Sequence, residues 1–184
     1  MKKFAQRFIS FSCAITVMCV GQPVAAHDGH AAHSPSQTAV ATLSSGAVWR
    51  FTLATLEGDR FVRSSDFTGP ILVNFWSRDC APCIAELPRL QAFANANKNW
   101  TVLLIATDSA RDAQAFLNAR GISLTSLRAG ADSRALLRIA GNPSGALPYS
   151  HAQRENEPCF AKRGELSELD LARLSVVCGD VVGK

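Results

Sequence analysis

Residues 71–90 read ILVNFWSRDCAPCIAELPRL and contain the most informative pattern in the chain. The apolar run Ile71–Trp76 predicts a buried strand of the kind found in parallel sheets. Beyond it, a Cys-x-x-Cys pair, Cys80 and Cys83, opens a segment with apolar residues at helical spacing, namely Ile84, Leu87, Leu90 and Phe93. Because the free N–H groups and the dipole of a helix N-terminus stabilise a thiolate, this arrangement predicts a redox site.

The two cysteines are predicted to have different roles. Cys80 is the more exposed and is the candidate nucleophile, whereas Cys83 lies one turn deeper and is placed to resolve a mixed disulfide. Pro82 falls in the first turn, where its missing N–H costs little.

Residues 1–26 are predicted to be a secretory signal peptide. They combine a basic start (Lys2, Lys3, Arg7), an apolar run over 8–20 and small residues over 24–26. The apolar run is shorter than the roughly 20 residues of a membrane span, so cleavage after Ala26 is favoured over an uncleaved anchor. The mature protein is therefore expected in an oxidising compartment, most simply a bacterial periplasm.

Residues 27–46 are polar, lack hydrophobic periodicity and are predicted to be a flexible linker. Within them His27, His30 and His33 stand close together, and imidazoles at this spacing are weak candidates for copper, nickel or zinc ligands. A solvated tail is the favoured interpretation, and no cofactor is predicted.

Charge excludes one class of partner. Three of the 19 basic residues lie in the leader, which has no acidic residue, so the rest of the chain has 16 basic against 15 acidic residues. We therefore expect no nucleic-acid surface.

Residues 47–184 are predicted to form one α/β domain. A hairpin from Trp49 through Val62 precedes the cysteine stretch. Strands and helices then alternate, which favours a sheet with right-handed crossovers. The expected elements are a strand over 101–106, a helix over 110–119, an extended segment over 122–127, a helix capped by Asp132, a strand from Tyr149, a last strand around Cys159 and a helix over 167–176.

Residues of roughly 49–178 resemble the TlpA/ResA-like branch of the thioredoxin-fold thiol–disulfide oxidoreductases. The resemblance rests on Leu56-Glu57-Gly58-Asp59, Leu72-Val73-Asn74-Phe75-Trp76, Cys80-Ala81-Pro82-Cys83, Glu86, Pro88, Leu90 and Leu147-Pro148. It implies a thioredoxin-like fold, with a central mixed sheet flanked by helices and an N-terminal β-hairpin extension. It also implies disulfide exchange by Cys80 and Cys83 with exported proteins, electrons from a membrane thiol reductase, and a cis-proline at Pro148 facing the cysteines. Without the resemblance, an ordinary trans turn proline would be the favoured interpretation of Pro148, because cis X–Pro bonds are rare.

Glu86 has two interpretations. Strand position Asn74 offers no carboxylate, and Glu86, three residues beyond Cys83, lies on neighbouring helix surface, where it is a candidate proton acceptor for the resolving thiol. Alternatively, it only complements the helix dipole.

Other residues near the cysteines depart from the family pattern. Asp79 stands where the family has an aromatic residue and should raise the thiolate pKa of Cys80, which Arg78 should partly offset. We group these two residues with Trp76 as tuning the site. His151 lies in an unusually polar strand and is expected to face solvent rather than the site.

Cys159 and Cys178 remain after the redox pair is assigned, and an exported chain would oxidise them to a disulfide that holds the last helix on the sheet. A zinc site is discounted because this pair lacks Cys-x-x-Cys spacing.

The sequence predicts an exported protein-disulfide oxidoreductase, most simply a reductase of periplasmic disulfides. A disulfide oxidant or isomerase, a copper-handling protein that uses the thiols and the His cluster, and a non-catalytic binding module are the alternatives.

Overall fold

A five-stranded mixed sheet forms the centre of the structure, a computed structural model that describes residues 49–178. The strand order is β5-β4-β3-β6-β7. Strand β3 is central and pairs in parallel with β4 and antiparallel with β6, while β4 pairs in parallel with β5 and β6 antiparallel with β7. The strands are β3 Ile71–Trp76, β4 Thr101–Ala106, β5 Thr125–Arg128, β6 Tyr149–Arg154 and β7 Glu157–Arg163.

A separate two-stranded hairpin precedes the sheet. It consists of β1 Thr52–Ala54 and β2 Phe61–Arg63. The first strand is shorter than the alternation from Trp49 predicts, because Trp49 and Phe51 precede it and pack into the core. The hairpin meets the sheet edge through an isolated bridge between Thr55 and Leu127.

Four helices connect and cover the strands. They are α1 Ala81–Ala96, α2 Ala110–Ala119, α3 Ser133–Ile139 and α4 Glu168–Val177. The three later helices begin at the side-chain caps that their sequences favour, Ser109, Asp132 and Ser167, each of which accepts a hydrogen bond from a backbone N–H in the first turn. Helix α1 continues through Pro88 to Ala96.

The sheet is covered on both faces, which explains why every residue of β3 is buried and all but Asn74 are apolar. Leu72 and Trp76 pack with apolar residues of α1, α2 and α4 in one cluster. Val73 and Phe75 face the other way and pack with Trp49, α3 and β6. The predicted thioredoxin-like architecture, including its hairpin extension, is confirmed. Within residues 49–178, no helix is long and apolar enough to cross a membrane.

Candidate functional site

The two cysteines occupy the N-terminus of α1. Cys80 is the N-cap, and its Sγ accepts a hydrogen bond from the backbone N–H of Cys83 at 3.3 Å. The two residues are joined as a disulfide with a Cα–Cα distance of 5.2 Å. Cys80 is half-buried and Cys83 is fully buried. The N-terminus of a helix favours a thiolate at its first turn, and Cys80 is the more exposed of the two cysteines there.

Asp108 fixes the loop that leads into Cys80. Its carboxylate accepts hydrogen bonds from the Ser77 hydroxyl at 3.0 Å and from the backbone N–H of Arg78 at 2.7 Å. The Ser77 oxygen in turn accepts from the backbone N–H of Asp79. Sequence reasoning missed Asp108, although it lies just beyond β4, where the carboxyl ends of parallel strands meet.

Arg78 and Asp79 lie at the surface beside Cys80. The Arg78 Nε is 4.0 Å from Asp79 Oδ1, and its Nη2 is 3.9 Å from Asp112 Oδ2. Arg78 is therefore shared between two carboxylates, those of Asp79 and Asp112. Trp76 is buried, packs on Phe116 at 5.6 Å between ring centroids and joins the same cluster as Cys83. That these residues tune the site stays a prediction.

Pro148 lies at the same end of the sheet as the cysteines. The Leu147–Pro148 peptide bond is cis. Tyr149 pairs with Phe75, and the antiparallel register continued by one residue sets Pro148 beside Trp76, four residues before Cys80. The Pro148 carbonyl accepts from the backbone N–H of Gly164 at 2.8 Å, which ties this loop to the end of β7.

Glu86 is completely buried beneath the cysteines on α1. Its Oε1 accepts from Asn74 Nδ2 and its Oε2 from the backbone N–H of Leu166, both at 2.7 Å. Asn74 Nδ2 also donates to Ser150 Oγ at 2.9 Å. Burial raises the pKa of Glu86 above its ordinary value, against the opposing effect of the two hydrogen bonds. Asn74 and Ser150 were not foreseen as parts of this cluster.

The expectation that His151 faces solvent is wrong. The ring is 5% exposed, lies edge-on to Trp49 with centroids 5.4 Å apart, and contacts Gln153 Oε1 through Nε2 at 3.2 Å. It is buried because Trp49 packs against this face of β6, while β7 pairs along the edge of the strand. It points away from Asn74, since Ser150 occupies the opposite face of the strand.

Cys159 and Cys178 are joined in a second disulfide with a Cα–Cα distance of 5.5 Å. It links β7 to the C-cap of α4. The same helix is held at its other end, where Asp170 Oδ2 accepts hydrogen bonds from Lys162 Nζ of β7 and from the backbone N–H of the N-cap residue Ser167. The strand register places Cys159 near Ile71, at the other end of β3 from the Cys80 loop. The structural role of this disulfide stays a prediction.

The candidate metal ligands His27, His30 and His33 lie outside the described residues. In the part of the chain that the structure describes, no three His, Cys, Asp or Glu residues are grouped so as to hold a metal ion.

Comparison with known proteins agrees with this geometry. A family model described as the AhpC/TSA family matches residues 46–135. A search of curated protein sequences finds no match. A secreted disulfide oxidoreductase of Mycobacterium tuberculosis, described as homologous to DsbE of E. coli, is 25% identical with a TM-score of 0.57, covering 67% of this chain and 96% of that one.

Two further structures share the fold. A DsbF homologue from Corynebacterium diphtheriae is 24% identical with a TM-score of 0.59, covering 68% of this chain and 82% of that one. The exposed lipoprotein thioredoxin Etrx1 of Streptococcus pneumoniae is 19% identical with a TM-score of 0.58, covering 68% of this chain and 96% of that one. The predicted resemblance to TlpA/ResA-like thioredoxin-fold proteins and the oxidoreductase class are thereby confirmed.

Proposed function

We propose that this chain is an exported thiol–disulfide oxidoreductase that reduces disulfides of other periplasmic proteins through Cys80 and Cys83. One observation carries the proposal. A reachable sulfur caps the N-terminus of α1 and accepts the Cys83 N–H, while the second sulfur is buried directly behind it. This asymmetry suits an attacking thiol and a resolving thiol.

The reaction proceeds in two exchanges. The Cys80 thiolate attacks a substrate disulfide, forms a mixed disulfide and releases the first substrate thiolate. Cys83 then loses its proton, its sulfur attacks Cys80 Sγ, and the second substrate thiolate leaves as the Cys80–Cys83 disulfide forms. The two electrons gained by the substrate come from the two cysteines. Thiols of a membrane reductase restore them by the reverse exchange.

Glu86 and Pro148 complete the proposed site. Two carboxyl groups are buried among the described residues, Glu86 and Asp170, and only Glu86 lies on α1, three residues beyond Cys83. Its raised pKa suits a group that takes the Cys83 proton. Pro148 lies at the sheet end beside the cysteines and lacks an N–H, so its neighbours' backbone groups are left to pair with an extended substrate segment.

The proposal includes the organisation of the whole chain. Residues 1–26 act as a cleaved signal peptide, residues 27–46 as a linker and residues 47–184 as the thioredoxin-like domain. An uncleaved leader would instead anchor the domain to the membrane. The exported relatives, one secreted and one exposed on its cell, support this localisation.

The reduction potential of the Cys80–Cys83 pair tests the direction of the reaction. Mature protein is equilibrated in glutathione or dithiothreitol buffers and the reduced fraction is measured. A value near that of thioredoxin, about −270 mV, is expected for a reductase. A value near about −120 mV would contradict the proposal and make the protein an oxidant or isomerase. The Cys159→Ser, Cys178→Ser variant serves as the control, because it restricts the titration to one pair.

A further inference from the structure

Asn74 is a buried polar residue in the middle of an otherwise apolar strand. It is 0% exposed, and every other residue of β3 is a buried hydrophobic. Its Nδ2 uses both hydrogens, one on Glu86 Oε1 at 2.7 Å and one on Ser150 Oγ at 2.9 Å. Its Oδ1 is buried and accepts no hydrogen bond from any residue in the range 49–178.

A buried acceptor without a donor is destabilising, and a hydrophobic residue at this position would avoid the penalty. The amide is therefore unlike its neighbours on β3, since it adds nothing to the apolar packing. What it does provide is one oxygen and one nitrogen on a group that can rotate, directly beside the Glu86 carboxyl.

The carboxyl group of Glu86 requires different partners in its two protonation states. As a carboxylate it accepts hydrogen bonds, and the present geometry supplies donors to both oxygens, Asn74 Nδ2 and the Leu166 N–H. As a carboxylic acid it has an O–H that must donate. Rotating the Asn74 amide by half a turn brings Oδ1 to the position of Nδ2, and the Ser150 hydroxyl then turns to donate.

We propose that Asn74, held by Ser150, is a positioning residue that stabilises Glu86 both as a carboxylate and as a carboxylic acid. The inference rests on the proposed function, in which Glu86 takes the proton of Cys83. One proton leaves the Cys83 thiol for Glu86, the Cys83 sulfur displaces the substrate thiolate from Cys80, and that thiolate takes up a proton from solvent. Asn74 thus governs the pH at which Cys83 attacks.

Other charges near Glu86 are few. Arg89 and Glu165 influence it with opposite signs, and these two side chains pair with each other. The groups that face the carboxyl from β3, β6 and the loop before α4 are Asn74, Ser150 and the backbone of Leu166, all uncharged. Asn74 is accordingly the side chain whose replacement should affect Glu86 most.

A symmetric nitrobenzoate disulfide tests the inference on the reduced mature protein. It releases one coloured thiolate when Cys80 attacks and a second when Cys83 resolves the mixed disulfide. The rate of the second release is followed against pH by stopped flow. Leucine removes the hydrogen bonds to both forms of Glu86, and the bond to the charged carboxylate is the stronger of the two. In Asn74→Leu we therefore expect the midpoint to rise by at least about one pH unit, which is about a tenfold slower release below the midpoint.

Two comparisons distinguish this inference from the proposed function. Glu86→Gln should slow the second release about tenfold at neutral pH, and adding Asn74→Leu to it should change nothing further. If Glu86→Gln is slow but Asn74→Leu keeps the wild-type midpoint, the role of Asn74 is overturned and that of Glu86 stands. If Glu86→Gln resolves at the wild-type rate, both roles fail, while exchange by the cysteines is unaffected.

A matched control separates positioning from a loosened sheet. Gln153 is also fully buried with a side-chain nitrogen that lacks a partner among the described residues, but it lies on the His151 face of β6. Gln153→Met should leave the midpoint unchanged, and a shift as large as that of Asn74→Leu would overturn the inference. Should Asn74→Leu fail to fold, Ser150→Ala replaces it. A smaller upward shift is then expected, and an unshifted midpoint counts against Asn74.

Discussion

His151 should make the folded protein less stable as the solution is acidified. Its ring is buried between Trp49 and Gln153, and burial lowers its pKa to about 4, with the hydrogen bond from the ring Nε2 to Gln153 Oε1 opposing the shift. In the unfolded chain the same ring has its ordinary pKa of about 6.5. Between these two values the unfolded state binds a proton that the folded state does not.

The size of the effect follows from the two pKa values. A pKa unit corresponds to about 1.4 kcal/mol, so a difference of about 2.5 units removes about 3 kcal/mol from the free energy of unfolding. Above pH 6.5 the ring is neutral in both states and has no effect. The loss begins as the pH falls below about 6.5 and is complete below about 4. This loss is a large share of the free energy of unfolding of a typical domain, which is about 5–15 kcal/mol.

Denaturant unfolding of the oxidised protein at pH 7, 5.5 and 4 measures this loss. The comparison is His151→Gln, whose side-chain nitrogen can replace Nε2 against Gln153 without titrating near these pH values. Acidification also changes the stability of the folded protein through two carboxyl groups. Glu86 makes the fold more stable at low pH because burial raises its pKa. Asp170 makes it less stable because hydrogen bonds from Lys162 and Ser167 lower its pKa against the effect of burial. Both proteins share these contributions. Wild type should therefore lose about 3 kcal/mol more than the variant, and parallel pH profiles would refute the reasoning.

Two further predictions concern the supports of the site. Replacing Cys159 and Cys178 with serine opens a loop with a sequence separation of 19 and should lower the free energy of unfolding by about 3 kcal/mol, as measured in urea under oxidising conditions. The rate of the first thiolate release by Cys80 should be unchanged. A clear fall in that rate would show that the Cys159–Cys178 disulfide is not merely structural. Asp108→Ala should lower the unfolding free energy by about 1 kcal/mol, because it removes the acceptor for Ser77 and Arg78 at a partly exposed site. Glu57→Ala, at an exposed carboxylate in the hairpin turn, provides the control.

The strands and helices were largely predictable because their signals are local. Ile71–Trp76 and Thr101–Ala106 are covered on both faces, and such strands read as nearly continuous apolar runs. The alternation of apolar and polar residues from Trp49 predicted too long a first strand. Trp49 and Phe51 are apolar because they pack into the core, not because they pair with β2. Phe51 exchanges hydrogen bonds with Ser64, its N–H going to the hydroxyl and its carbonyl accepting the Ser64 N–H, so the hairpin ladder begins only afterwards.

The polar interior of the site was not predictable in the same way. Asn74 and Ser150 are 76 residues apart, and Glu86 and Leu166 are 80 apart, so no local pattern brings them together. The polar residues of β6 suggested an exposed strand, because polar side chains in a strand usually mark its solvent face. Here β7 pairs along the edge of that strand and Trp49 packs against its His151 face. This burial is visible only in the assembled structure.

Strand β6 carries buried polar groups on both faces, and they differ in what they contact. Ser150 faces Asn74 and through it Glu86 on the cysteine helix. His151 and Gln153 face the opposite layer and contact each other, and His151 also packs against Trp49. Substitutions on the second face should therefore change stability and its pH dependence while leaving the thiol chemistry intact. Substitutions on the first face should change the chemistry of Cys83, and the two effects are measured independently on one strand.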